Sequence, residues 1–308
     1  MVYFKNQYYK KECRMDCAFI GFGNAAFGIS AGLRRAGLGD VYFLEPMAGP
    51  PFSGALGERV IAMGALCRND YALLAASAPV IFSCVVATAA LDVARKIAPH
   101  LTGGQLYVDI NSTSPSAKQE AAALVSAAGA LYVDAAVMGS VEVSGHRVPI
   151  LASGDGAGEF ARLFAPLGMD IEVLEGRAGQ AAAVKQLRSV FQKGMMCLFM
   201  EMLLAARACG VEKEVLASVG KTFDGVTLET MAGQMVPKAV NGAARMVGEM
   251  EGVRRTLEEL GLPAFMSAAT VSGFACYDAL NLAGRPFKTL DQALHAVHHA
   301  ITVSDMAV

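Results

Sequence analysis

Cys17-Ala18-Phe19-Ile20-Gly21-Phe22-Gly23-Asn24-Ala25-Ala26 decides how the first half of this chain is read. Four apolar residues run as a strand buried on both faces, and a Gly-x-Gly-x-x-Ala turn then opens a helix. Gly21 permits the tight turn, and Gly23 lets the backbone come close to a pyrophosphate. Ala26 allows the helix to pack tightly on the strand. The helix start, from Phe22 and Asn24 to Ala25, offers unpaired N–H groups to phosphate oxygens. Glu45 closes the next strand-like run at the roughly 20-residue spacing of a ribose-binding acid. Its charge repels a 2′-phosphate, so the fingerprint favours NAD, with NADP the other candidate cofactor. A ligand-free glycine-rich turn is the plain alternative; strand, helix and acid in register argue against it.

Working outward, short apolar runs alternate with helical stretches up to about residue 174. Strands are predicted at 17–20, 41–44, 80–86, 106–109, 131–136, 149–152 and 171–174, with helices at 25–36, 89–98 and 117–128. This alternation predicts an α/β Rossmann-type, doubly wound, mostly parallel sheet. After Gly176 strand signals nearly stop, and an all-α helical domain follows, with breaks expected at Gly210, Gly220, Pro237, Gly261 and Gly284. The expected organisation is an N-terminal extension (1–14), a dinucleotide-binding domain (15–178) and a helical substrate and dimerisation domain (179–308). The run Gly194-Met195-Met196-Cys197-Leu198-Phe199-Met200 is apolar on every side, so it calls for burial within the helical domain or between subunits.

Composition narrows the function classes. In 308 residues, 26 Lys and Arg stand against 28 Asp and Glu, a net charge of −2, so no basic excess invites a nucleic acid. With 54% hydrophobic and 18% charged residues the chain is too apolar for disorder. The uncharged run 71–91 is split by Pro79 and reads as a buried strand, not a membrane span. Seven cysteines, with no Cys-x-x-Cys pair, suit free thiols in a reducing cytoplasm. The first 14 residues lack the apolar core of a secretory signal. His295, His298 and His299 share a helical face, but no Glu or Cys completes a ligand spacing, so no metal site is expected.

Three more segments complete a pattern. Asp109-Ile110-Asn111-Ser112-Thr113-Ser114-Pro115 follows a strand and ends in a good N-cap and first-turn proline. Asp134-Ala135-Ala136-Val137-Met138-Gly139-Ser140 leaves a strand for a small-residue loop. Gly179-Gln180-Ala181-Ala182-Ala183-Val184-Lys185 leads into the long apolar helix. With the fingerprint, these resemble the β-hydroxyacid dehydrogenase superfamily, which includes 6-phosphogluconate and 3-hydroxyisobutyrate dehydrogenases. The nearest branch is the 6-phosphogluconate dehydrogenase-like oxidoreductases of poorly defined substrate.

That resemblance implies hydride transfer between a nicotinamide and a small anionic hydroxy or keto acid, with or without decarboxylation, in a homodimer built by the helical domain. It implies Lys185 as general acid/base. The implied substrate-binding set is Asn111, Ser112, Met138, Gly139, Arg188, Ser189 and Gln192; Val85 joins the fingerprint residues and Glu45 at the cofactor. The sequence departs from the family at several points. Asn111 and Ser112 replace Ser-Thr, Met138 replaces Ser, and Ser189 replaces the Asn one turn after the Lys.

On a helix, Lys185, Arg188, Ser189 and Gln192 share a face, able to present a base, a carboxylate-binding guanidinium and two neutral groups. A free Lys titrates near ~10.4, so alcohol oxidation requires partial burial or a nearby cation to favour the neutral amine. Two rival readings are a dinucleotide-binding scaffold or sensor without turnover, and an imine reductase on the same scaffold.

Overall fold

The computed structural model describes residues 14–285 and 287–303. The expected extension, apart from Arg14, lies outside the described residues. The described chain forms two compact units, one ending at Ser189 and the other beginning at Val190.

The first unit opens with β1 (Cys17–Ile20), α1 (Asn24–Arg35), β2 (Val41–Leu44), α2 (Gly54–Met63), β3 (Leu66–Cys67) and α3 (Tyr71–Ser77). It continues through β4 (Val80–Ser83), α4 (Ala90–Ile97), β5 (Leu106–Asp109), α5 (Pro115–Ala127), β6 (Leu131–Val137) and α6 (Val141–Ser144). The last members are β7 (Ile150–Ser153), α7 (Ala157–Phe164) and β8 (Ile171–Val173). The strands form one sheet in the order β3-β2-β1-β4-β5-β6-β7-β8, parallel except where β6 meets β7. Parallel strands with helices on both faces must be apolar on both sides, and all four residues of β1, β4 and β5 are buried. The pleat sends alternate side chains to opposite faces. Cys17 and Phe19 join Phe43, Phe82, Phe160 and Phe164 under α1 and α7. Ala18 and Ile20 join Ile81, Tyr107, Tyr132 and Val125 under α4 and α5. Phe19 stacks on Phe82 at 4.9 Å between ring centres.

The strand expected at 80–86 stops at Ser83, because Asn111 takes up the N–H of Val85 and ends the ladder there. The two-residue β3 and the helices α2 and α3 are not among the predicted elements; β3 and the seven-residue α3 hold too few residues to display a period. Crossing from β2 to β4 reverses the direction in which strands are added, with β1 between them. The carboxyl ends of β1 and β4 therefore bound the crevice where doubly wound sheets take ligands.

The long helix α8 (Gln180–Cys209) starts in the first unit and continues into the second, which adds α9 (Glu212–Phe223), α10 (Leu228–Asn241), α11 (Ala243–Glu259), α12 (Phe265–Ala279) and α13 (Leu290–Val303). Gly210, at φ +73°, ends α8 as expected. Two expected breaks do not occur: Gly220 lies inside α9 and Pro237 inside α10, which continues past it with one backbone donor fewer. Glu201 caps α12, accepting from the N–H of Met266 and Ser267 at 2.7 and 2.8 Å. The apolar run from Met196 to Met200 is exposed within its own chain, so it does not form the heart of the second unit. Among the described helices α8 alone is long and apolar enough to cross a membrane, and its most apolar window is only 6% buried.

Candidate active site

The turn after β1 is built for close approach. Gly21 adopts φ +81°, and a Cβ on it would lie 2.5 Å from the carbonyl oxygen of Cys84 and 2.9 Å from Val85 Cγ1. Only glycine fits there without moving β4's loop. Gly23 faces open space, and as N-cap of α1 it offers no side chain to the first helical N–H groups. The first turn carries no acid either, so its donors and positive dipole end are left for an anion. Ala26 is fully buried against the core. Glu45, one residue past β2, accepts from the N–H of Phe22 at 3.0 Å, which ties the acid to the glycine turn. Arg59 on α2 reaches the carbonyl oxygen of the same Phe22 at 3.3 Å, a neighbour that its distance in sequence had hidden. A pyrophosphate over Gly23 with its ribose toward Glu45 fits these residues.

The second half of the site gathers at the ends of β5 and β6. Lys185 Nζ donates to Ser112 Oγ at 2.9 Å, and Gln186 Nε2 to the carbonyl of Thr113 at 3.0 Å. The start of α8 is thus laced to the loop after β5. Arg188, exposed, makes one long contact of 3.5 Å to the carbonyl of Met138, so its guanidinium lies beside the loop after β6. Ser112 and Gly139 are exposed and Met138 is half-buried. Ser189 turns its hydroxyl back to the carbonyl of Lys185 at 3.1 Å. Gln192 is exposed on α8 within the second unit.

Asn111 has a different setting from its neighbours. It is buried, and its amide is spent within the protein: Nδ2 donates to Ser83 Oγ at 2.9 Å and to Asp109 Oδ1 at 2.7 Å, while Oδ1 accepts from Val85 N–H at 2.7 Å. One side chain therefore locks the loop after β4, which meets Gly21, to the loop carrying Ser112. Sequence reasoning missed the layer beneath: Asp109, Lys118, Tyr132, Asp134 and Ser153 are all buried. Two signals were available. Leu-Tyr-Val-Asp occurs twice, at 106–109 and 131–134, and Lys118 sits in the otherwise apolar stripe of α5 with Ala121 and Val125. Burial raises the thiol of Cys84 well above its ordinary range, with nearby Asp109 adding to it, so this cysteine beside Gly21 stays a neutral packing group.

Residues 17–167 match the NAD binding domain of 6-phosphogluconate dehydrogenase, and residues 206–275 match a domain of unknown function, DUF1932. A conserved hypothetical protein from Sinorhizobium meliloti 1021 is 33% identical, with a TM-score of 0.62 and coverage of 96% of this chain and 100% of that one. The chain belongs to the 6-phosphogluconate dehydrogenase-like family. Its first unit is an NAD-binding, dehydrogenase-like scaffold. A conserved protein of unknown function, described as structurally similar to 3-hydroxyacid dehydrogenases, is 32% identical over 88% of this chain and all of its own, with a TM-score of 0.61. An imine reductase from Aspergillus terreus in complex with NADPH4 shares the fold at 16% identity, covering 90% of this chain and 98% of that one at a TM-score of 0.69. The match to an uncharacterised 28.5 kDa protein of Methanothermus fervidus is 28% identical over 160 residues, spanning 52% of this chain and 61% of that protein.

Proposed function

We propose that this protein is an NAD(P)-dependent oxidoreductase that moves a hydride between the nicotinamide and a small hydroxy or keto acid, with Lys185 as general acid/base. The observation that carries the reading is the 2.9 Å contact between Lys185 Nζ and Ser112 Oγ, set at the sheet end that also bears the dinucleotide fingerprint. A bound nicotinamide supplies the hydride in reduction and accepts it in oxidation. The chain supplies the proton and the orientation. In reduction, Nζ gives a proton to the carbonyl oxygen as the carbon is reduced, using the ammonium that a lysine ordinarily holds at neutral pH. In oxidation the same nitrogen, as the neutral amine, takes the hydroxyl proton. Ser112 accepts from Nζ, which leaves its own hydroxyl hydrogen to donate to a substrate oxygen. Among the described residues Arg188 makes a single long contact, which leaves most of its fork for a carboxylate. Glu45, anchored to the glycine turn, favours a ribose hydroxyl over a 2′-phosphate and hence NAD over NADP.

The reading extends to a homodimer in the cytoplasm. The helical unit leaves Met196, Met200, Leu204 and Phe265 exposed, and a second copy of the same unit is the partner that would cover such a surface. Light scattering at micromolar concentration reads the oligomeric state directly.

The test of function is a panel of 2- and 3-hydroxy acids, their keto acids and a cyclic imine, followed by nicotinamide absorbance. On the acid that is turned over, Lys185→Ala should lose roughly 10²–10⁴-fold in kcat, with NADH affinity held within about twofold. Unchanged turnover removes Lys185 from the chemistry. Turnover of the imine alone overturns the substrate class.

A further inference from the structure

The repeated Leu-Tyr-Val-Asp segments form β5 and the start of β6, and they pair with each other in register, Leu106 with Leu131 through Asp109 with Asp134. Identical tetrapeptides in parallel register set two aspartates side by side on one face of the sheet. Neighbouring parallel strands lie only about 4.8 Å apart, and both carboxylates are buried. Such a pair is unfavourable unless a cation sits between its members. Lys118 is that cation. Its side chain is 1% exposed, and Nζ lies 3.0 Å from Asp109 Oδ1, 3.4 Å from Asp134 Oδ1 and 2.8 Å from the carbonyl oxygen of Asp109.

Each aspartate holds a different part of the candidate site. Asp109 Oδ1 accepts from the backbone N–H and the amide of Asn111, at 2.9 and 2.7 Å, and Oδ2 accepts from Tyr132 OH at 2.7 Å. It therefore fixes the loop that presents Ser112. Asp134 Oδ2 accepts from the N–H of Gly179 at 3.0 Å and of Ala182 at 2.9 Å. It thus caps the helix that presents Lys185, and Ser153 Oγ supports it by accepting from Ala181 N–H at 3.1 Å. A carboxylate there also complements the positive end of α8's dipole.

We infer that Lys118 is a positioning residue: by bridging Asp109 and Asp134 it sets the Ser112 loop and the first turn of α8 in one fixed relation, which brings Lys185 Nζ to Ser112. The consequence for turnover rests on the function proposed above; the positional claim does not. Removing the ammonium leaves two adjacent buried carboxylates without a counter-charge, so both tethers loosen together.

The experiment therefore reads position without turnover. The full-length protein saturated with NADH is compared as wild type and Lys118→Met by hydrogen exchange, and by competitive labelling of lysine amines with acetic anhydride. Segments 110–116 and 177–186 should both exchange at least roughly tenfold faster in the variant, while β2 is unchanged. Labelling of Lys185 should change severalfold, with that of Lys213 unaffected. Wild-type exchange in either segment, or acceleration spread equally over β1, β2 and β4, overturns the inference. Should Lys118→Met fail to fold, Asp134→Asn keeps the ammonium and its Asp109 partner and removes the Asp134 half of the bridge together with the anionic cap. It should loosen 177–186 and spare 110–116; no selective loosening overturns the inference equally. Where the hydroxy-acid panel yields a substrate, kcat of Lys118→Met should fall on the order of tenfold to hundredfold while NADH binding holds. That split separates displaced chemistry from a weakened cofactor site.

Discussion

Replacing Asn111 by Ala tests whether the two loops of the crevice are locked by one buried amide. The substitution removes three side-chain hydrogen bonds, to Val85 N–H, Ser83 Oγ and Asp109 Oδ1. The part-buried Val85 N–H, just past the end of β4, is left without its protein acceptor, at about 1–3 kcal/mol. The bond to the Asp109 carboxylate is charge-assisted and contributes about 1.5–3 kcal/mol. Asp109 keeps the backbone N–H of Asn111, Tyr132 and Lys118, so no charge is orphaned and the total is about 3–5 kcal/mol. At roughly 2–4 °C per kcal/mol for a domain of this size, the first unit should melt about 6–20 °C lower. Urea denaturation followed by far-UV circular dichroism measures the loss, and NADH titration at low temperature measures the crevice. Asn111→Asp should not rescue, since it restores the acceptor for Val85 and places another carboxylate against Asp109. A loss below about 1 kcal/mol, together with a raised KM for the acid substrate, would refute the lock and make Asn111 a substrate contact.

Two further outcomes follow from named groups. Glu45→Gln keeps an acceptor for the Phe22 N–H and removes the negative charge, so the ratio of NADPH to NADH affinity should rise by about tenfold, roughly 1.4 kcal/mol; an unchanged ratio breaks the ribose assignment. At α12, partial burial works to raise the Glu201 carboxyl, but the Ser267 hydroxyl and the N–H groups of Met266 and Ser267 outweigh it and hold it below the ordinary range. A depressed folded value means the stabilisation is present above the unfolded value of about 4.3 and is lost as pH falls through the folded one. The stability of the helical unit should therefore drop between pH 5 and 3 (approximate bounds set by that window), and Glu201→Gln should flatten the slope. An identical slope in the variant counts against the cap.

The parts of this molecule that were legible in sequence are those in which a local rule acts alone. β1 and the turn after it were readable because the pleat, the φ +81° glycine and the helix start are each imposed by neighbours in the chain. The parallel sheet followed from alternation of element types, and the helical second half from its period. What escaped detection depends on register. The doubled Leu-Tyr-Val-Asp marks Asp109 and Asp134 as equivalent strand ends, but their facing each other exists only once β5 and β6 lie side by side. Lys118 was overlooked for the same reason: a lysine in an apolar stripe makes sense only when its two distant partners are in view. Gly220 and Pro237 misled because helix propensity is a weak local preference that packing overrides. For Met196 to Met200 the apolarity left two readings, burial inside the helical domain or between subunits, and their exposure within the chain removes the first.

The most direct check is a crystal structure of the protein with oxidised nicotinamide cofactor and the best acid of the panel. Lys185 Nζ should stand within hydrogen-bond reach of the substrate oxygen, about 2.6–3.2 Å, with the reacting carbon about 3–3.5 Å from the nicotinamide C4. An ammonium turned to solvent, with another side chain on that oxygen, would contradict the account at its centre.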